Sequence, residues 1–244
     1  RTDTAANGVP ILSIQTPSAA GVSYNPYDQF NVGASGLILN NSYATTTTQL
    51  AGYIQGNPNL AQGSARIILS EVTGPNPSYL YGYTEIAGRQ AEFILANPYG
   101  IVGDGFGFIN TSRATLTTGV PVFDTQGGLG TFRVTQGNIT IQGAGLNAAN
   151  IDRVDLISRT TAINAGLWAK KLNVITGANN VDYQSLAIEK LDPADDPPAV
   201  SLDVSQLGGM YANQITLVGT EKGVGVNSQG VITADDDLII TQDG

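Results

Sequence analysis

Apolar positions along this chain come in short bursts rather than in long helical stripes. Ile11-Leu12-Ser13-Ile14, Gly36-Leu37-Ile38-Leu39, Arg66-Ile67-Ile68-Leu69, Phe93-Ile94-Leu95, Asn138-Ile139-Thr140-Ile141 and Leu172-Asn173-Val174-Ile175 are each a few residues long. Each carries β-branched or alternating apolar positions and ends at Gly, Asn, Asp or Pro, which predicts strands closed by tight turns. The C-terminal stretch adds a period. Ile215-Thr216-Leu217-Val218-Gly219, Gly223-Val224-Gly225-Val226, Gly230-Val231-Ile232-Thr233 and Leu238-Ile239-Ile240-Thr241 start 8, 7 and 8 residues apart, so three strands and their turns occupy 23 residues. That is the length of one coil of a three-faced parallel β-helix. A β-sandwich would also show regularly spaced strands, but with hairpin turns such as Asn-Gly. Asn-Gly occurs once, at Asn7-Gly8, ahead of the first clear strand. Stacked about 4.8 Å apart, eight or nine coils give a rod on the order of 40 Å long.

Two segments interrupt the pattern and read as loops leaving the rod: Gly74–Tyr83, with two prolines and several tyrosines, and Asp192–Pro198, acidic and proline-rich. The first is a candidate for an extra hairpin covering part of a sheet. No linker divides the 244 residues into two domains. The chain ends at Gly244 just after a strand, without a cap, which reads as the start of a longer protein.

Composition narrows the function. Charged residues are only 13% and the net charge is −9, with 11 Lys and Arg spread along the chain. That argues against nucleic acid and against an anionic membrane surface. No apolar run approaches the roughly 20 residues of a membrane-spanning helix. With no Cys and no His, disulfides, thiol nucleophiles and the commonest general base and transition-metal ligand are all missing. Asp235-Asp236-Asp237 and the 192–196 acidic stretch lack the ligand spacing of a calcium loop and read as solvated turns. Gly103–Gly107 lacks the Lys and helix of a phosphate loop and reads as a tight coil turn. Trp168, in an apolar run, is expected in the core. Asp152, Arg153, Asp155 and Arg159 form the best local carboxylate cluster for a polysaccharide-cleaving enzyme on this fold. Their plainer reading is a surface turn with exposed ion pairs. The expectation is therefore no catalytic residue, no metal and no cofactor.

Two related motifs remain: Asn57-Pro58-Asn59-Leu60 and Asn97-Pro98-Tyr99-Gly100-Ile101. An Asn-Pro step starts a turn, because Pro fixes φ and the Asn side chain bonds the local backbone. These motifs resemble the paired NPNL and NPNGI motifs of two-partner secretion (TPS) domains, the family of filamentous haemagglutinin, secreted haemolysins and contact-dependent growth inhibition proteins of CdiA type. The resemblance extends through Gly21-Val22-Ser23-Tyr24-Asn25-Pro26-Tyr27-Asp28-Gln29-Phe30-Asn31-Val32, 107–119, 163–170, 207–212 and 219–226, covering roughly residues 8–235 in order. It departs at Tyr99, where the family usually has Asn, and at Tyr24 and Pro26, where His and Arg are common. The resemblance implies an all-β, right-handed parallel β-helix, with residues 1 to about 29 forming an N-terminal cap and with extra-helical strands or hairpins. It also implies a single domain over 1–244 at the N-terminus of a much larger exoprotein. A signal peptide precedes Arg1 in that scheme, and the protein is exported through the periplasm to the cell surface. The implied partner is an outer-membrane β-barrel transporter of TpsB type with POTRA domains, the domain itself being a monomer that does not insert into the membrane. Asn57, Pro58, Asn59, Leu60, Asn97, Pro98, Tyr99, Gly100 and Ile101 are the candidate secretion-motif residues. An adhesin-type binding module is the alternative.

Overall fold

The computed structural model describes residues 2–192, 195–222 and 224–243. The expectations placed on Arg1, Pro193, Ala194, Gly223 and Gly244 lie outside the described residues. Within them the chain winds as a parallel β-helix with three faces. The first face stacks Val22–Tyr27, Ile67–Val72, Ala91–Ala96, Thr111–Thr117, Arg153–Ser158 and Lys171–Thr176, then the second halves of Gly209–Gly219 and Val231–Gln242, all in parallel. Seven steps of about 4.8 Å make this face roughly 34 Å long. The second face runs through Ser78–Leu80, the first parts of Ile101–Ile109 and Asn138–Ala148, Thr160–Ile163, Val200–Val204 and Gly225–Ser228. The third runs from Pro10–Ser13 through Leu37–Asn41, Tyr83–Gly88, the ends of Ile101–Ile109 and Asn138–Ala148, Gly166–Ala169 and the start of Gly209–Gly219. The six short apolar runs all lie on these faces. The 23-residue period holds too: Ile215 pairs with Leu238 on the next rung.

Alternation explains the core. On the first face Ile68, Phe93, Leu95, Leu116, Leu156, Leu172, Val174 and Leu217 point into the rod and pack with Leu39, Ile101, Ile141, Leu167 and Met210 from the other faces. Their neighbours point outward. A parallel sheet is stable only where both faces are covered, and two added sheets, built from three insertions, supply cover. Val120–Phe123, Leu129–Val134, Asn179–Asp182 and Ile188–Lys190 form an antiparallel four-stranded sheet. It buries Leu69, Ile94, Ile157 and Ile175 of the first face against Phe132, Val134, Val181 and Tyr183. The hairpin of Thr46–Thr48 and Gly52–Ile54 covers Ile11, Ile38 and Ala87 of the third face. At the N-terminal end Thr2–Thr4 lies antiparallel on Pro10–Ser13, and from Pro10 onward the chain contributes parallel rungs.

Two expectations are corrected here. Gly74–Tyr83 does not leave the rod: Ser78–Leu80 is a rung strand paired with Ile101–Gly103, and Tyr83 opens another. Its prolines sit at the corner, Leu80 points into the core, and Tyr79 and Tyr81 point outward, so the composition of a loop was that of a tight corner plus an outward face. Trp168 is 43% exposed, because it occupies the outward phase between Leu167 and Ala169. The excursions that do carry new strands lie at 46–54, at 120–134 and at 179–190, the last just before the acidic stretch, and no proline-rich signal marked them.

The hairpin is tied down by a charge. The buried Glu85 carboxylate accepts the backbone N–H of Gln49 at 2.7 Å and of Leu50 at 2.8 Å. Hydrogen bonds to an ionised group contribute more than neutral ones. Glu85→Ala is therefore expected to lower unfolding free energy by about 2 kcal/mol and to raise amide exchange at Gln49 and Leu50. Unchanged exchange at those two amides would show that the clamp does not hold the hairpin.

Candidate functional site

Both Asn-Pro motifs form corners at the N-terminal part of the rod, and they are built alike. Asn57 caps a single turn of 3-10 helix, Pro58–Leu60, with Pro at the position where a missing N–H costs nothing. Its side-chain oxygen accepts the Asn59 N–H at 3.0 Å. Its amide nitrogen donates to the carbonyls of Ile14 at 2.9 Å and Asn40 at 3.0 Å. Asn59 donates to the same Ile14 carbonyl at 3.0 Å. In the second motif the Asn97 oxygen accepts the Tyr99 N–H at 2.9 Å, and its amide nitrogen donates to the Asn76 carbonyl and the Ser78 hydroxyl, both at 3.0 Å. Both asparagines are buried, at 1% and 0% exposure. A buried primary amide is favourable only when its donors and acceptor are matched, and here each side chain has an acceptor role in its own turn and a donor role toward a chain segment 17 to 43 residues away for Asn57 and about 20 away for Asn97.

Each motif ends in a core anchor. Leu60 and Ile101 are fully buried in the rod, whereas Pro58 and Tyr99 are exposed. Gly100 adopts φ +111°, a conformation that disfavours any side chain, and an added Cβ would sit 3.0 Å from the Asn138 carbonyl. Tyr99 is 49% exposed and contributes to the turn through its backbone, which explains how Tyr stands at a position where Asn is usual. The nine motif residues thus form two separate corners rather than one pocket.

The cluster read as a surface turn is instead a buried charge network, except for Asp152. Asp155 is fully buried, and its carboxylate accepts Arg113 Nε at 2.6 Å, Arg153 Nε at 2.8 Å and Asn173 Nδ2 at 2.6 Å. Arg113 also donates to the Tyr183 carbonyl at 2.7 Å and lies 4.0 Å from the centre of the Tyr183 ring. Tyr183 in turn hydrogen-bonds Glu92. Burial pushes the Tyr183 phenol well above its usual range, so it remains a donor. A second pair, Arg159 to Glu221 at 2.6 Å, is buried where the chain leaves and rejoins the rod, and Arg159 reaches the exposed Asp195. Burial disfavours the Arg159 charge, but Glu221 and Asp195 more than offset it and raise its pKa; Arg159 holds Asp195 below the ordinary carboxylate range. The sequence hid these contacts because the partners of Asp155 include Arg113, 42 residues back, adjacent only once the inserted strands 120–134 are subtracted from the coil. Asp155, Glu221 and Asp195 are each paired with an arginine and Glu92 with the Tyr183 hydroxyl, and among the described residues no group of three His, Cys, Asp or Glu could hold a metal ion.

With these corners and the rod in place, comparison with known proteins is decisive. A family model described as TPS secretion domain matches residues 1–244. The chain belongs to the TPS secretion domain family. It is 50% identical to the tRNA nuclease CdiA of Escherichia coli over 244 residues, 99% of this chain and 8% of that protein. It is equally 50% identical to the 16S rRNA endonuclease CdiA of Enterobacter cloacae subsp. cloacae, covering 99% of this chain and 7% of that protein. The crystal structure of the filamentous hemagglutinin secretion domain superposes with a TM-score of 0.86 at 28% identity, covering 100% of this chain and 95% of that one. The nuclease names describe proteins of which this chain spans less than a tenth, and a TPS secretion domain is a targeting module rather than their enzymatic region.

In this TPS secretion domain the Asp155 network pins the extra-helical sheet to the rod. Removing one partner of a buried pair leaves an uncompensated charge. Asp155→Asn is expected to destabilise the fold by about 3 kcal/mol or more, read as a lower urea midpoint. Asp152→Asn, whose pair with Lys170 is solvent-exposed, should shift it by no more than about 0.5 kcal/mol. Equal effects would contradict the assignment of the network.

Proposed function

We propose that the domain directs a much longer exoprotein to a cognate outer-membrane transporter of TpsB type and then nucleates that protein's β-helix at the cell surface. Family membership supports the secretion role, and the length of the CdiA relatives supports a long region beyond this domain. The residues before Phe30, which include the antiparallel pair at the end of the rod, act as its N-terminal cap. The chain passes the periplasm extended, and the transporter's POTRA domains take it by adding a strand to a sheet edge, using backbone hydrogen bonds for affinity. A chain with 13% charged residues and no Cys suits such a route, since it can neither cross-link in an oxidising compartment nor carry many charges into the pore. The domain works as a monomer and does not enter the bilayer; among the described residues no helix is long and apolar enough to cross a membrane.

One observation carries the mechanism: the polar atoms of Asn57 and Asn97 are buried and bound to backbone groups and, for Asn97, to the Ser78 hydroxyl as well, so in the folded domain they are shielded from a reader. What they do in the folded domain is therefore to support folding. Each Asn-Pro step restricts the unfolded chain toward its turn, and each amide then closes a contact between neighbouring turns. Once Asn57 joins Ile14 and Asn40, and Asn97 joins Asn76 and Ser78, the first rungs have a fixed register. Coils added outside bias the chain outward. Direct reading of Asn57, Asn59, Asn97 and Pro98 while the chain is extended accompanies this role.

Asn57→Ala and Asn97→Ala, made separately in the full exoprotein and in the isolated domain, test the proposal. Each is expected to lower stability by about 1–3 kcal/mol, the effect of orphaning buried hydrogen-bonding groups, and to reduce secretion in step with that loss. Lost secretion at unchanged stability would assign the motifs to direct recognition alone. Normal secretion in both variants would leave them as turns only.

A further inference from the structure

The outward side of the third face carries an aromatic surface that the secretion role does not use. Successive rungs place Tyr83, Gly107, Asn147, Trp168 and Tyr211 in one outward column, four steps or roughly 19 Å at about 4.8 Å per rung. Trp168 and Tyr211 stand one rung apart with ring centres 5.9 Å apart and planes within 13° of parallel. Both rings lean back along their strands over glycine. A Cβ on Gly166 would lie 2.3 Å from the Trp168 ring, and one on Gly209 would lie 2.8 Å from the Tyr211 ring. The Tyr83 ring likewise lies over Gly107, 2.5 Å from where a Cβ would be. Glycine at all three positions is what allows the rings to lie close to the sheet.

Beside the rings runs an open groove of about 590 Å³ lined by Tyr83, Phe106, Ala144, Asn147, Ala149 and Trp168. None of these residues is charged. The indole N–H of Trp168, the hydroxyls of Tyr83 and Tyr211 and the amide nitrogen of Asn147 donate no hydrogen bond among the described residues; of these side chains only the Asn147 oxygen is used, accepting Ala149 N–H at 3.4 Å. The groove and the stacked Trp168–Tyr211 pair at its end therefore offer aromatic surface with unpartnered polar groups beside it, a combination of large apolar area with a few orienting polar groups.

We infer that this face binds a linear, uncharged saccharide chain with equatorially linked, cellulose-like rings. Such a chain is a flat ribbon with C–H groups on both ring faces and hydroxyls along its edges. It matches a straight column in which Tyr83 at one end and Trp168 and Tyr211 at the other supply rings, with the Asn147 amide between them, and the uncharged lining matches a neutral ligand. A helical saccharide, with axial linkages, cannot keep several rings on a straight platform. A charged polymer finds no counter-charge in the lining. The inference is independent of how the Asn-Pro corners act.

Trp168 is the only tryptophan in the chain, so its emission reports the site directly. Titration of the 244-residue domain with cellohexaose is expected to give a saturable change in Trp168 fluorescence, with maltohexaose binding at least about tenfold more weakly. Calorimetry on Trp168→Ala should show at least about tenfold loss of cellohexaose affinity at an unchanged unfolding midpoint. Asn147→Ala, which leaves the rings in place, should weaken binding several-fold and decides the matter if the tryptophan variant does not fold. No saturable response to millimolar cellohexaose, equal affinity in the Asn147 and Trp168 variants and the parent domain, or saturation by a proline-rich peptide in place of the saccharide would each overturn the inference.

Discussion

A parallel β-helix pairs its backbone along the flat faces and loses that pairing at the corners, where the chain must turn and its carbonyls point at no strand. Unpaired buried carbonyls are costly, and in this domain asparagine amides meet them, those of Asn41, Asn57 and Asn97 buried and those of Asn59, Asn110 and Asn150 at least partly exposed. Asn57 and Asn59 converge on the carbonyl of Ile14, and Asn57 also serves Asn40. Asn41 donates to Ala65 and Arg89, Asn110 to Ile86 and Gly88, and Asn150 to Phe108. Asn97 does the same for Asn76. Because each donor and its acceptor belong to different turns of the chain, the bonds fix register between rungs as well as satisfying the backbone. The two Asn-Pro corners are the members of this set in which Pro also restricts the turn beforehand.

The covering layers follow from the same geometry. A rung places every second residue outward, and on the first and third faces many of those residues are apolar. The four-stranded sheet and the Thr46–Ile54 hairpin remove them from water. Each is fastened by ionised groups: the sheet through Arg113 and Asp155, the hairpin through Glu85. In a chain with so few charges, several of those present are buried at the seams between rod and insertions. Buried pairs add little net stability compared with apolar packing, but they make the wrong docking expensive, which suits insertions that must return to one place on a repetitive rod.

Much of this was legible in the chain. The coil length was readable because the C-terminal coil has no insertion, and the Asn-Pro motifs were readable because turn chemistry is local. What was not legible was non-local. Tyr79 and Tyr81 looked like part of a loop because their inward neighbours, Ser78 and Leu80, are too few to show a period. Trp168 looked like core because hydrophobicity does not report which phase of the alternation a residue occupies. Asp155 looked solvated because Arg113 is distant in sequence, and only the coil lengths bring the two together.

The central claim is that the motif amides, by donating across the corner, hold the first rungs in register. Asn57→Asp tests it most directly, since aspartate keeps the oxygen that accepts the Asn59 N–H and deletes the nitrogen that donates to Ile14 and Asn40. The urea midpoint and the refolding rate of the isolated domain are the quantities to measure. A loss of about 2 kcal/mol or more is expected, from the donor lost to Asn40, the weakened contact at Ile14, where Asn59 still donates, and a buried charge, together with slower refolding. An unchanged midpoint and rate would contradict it.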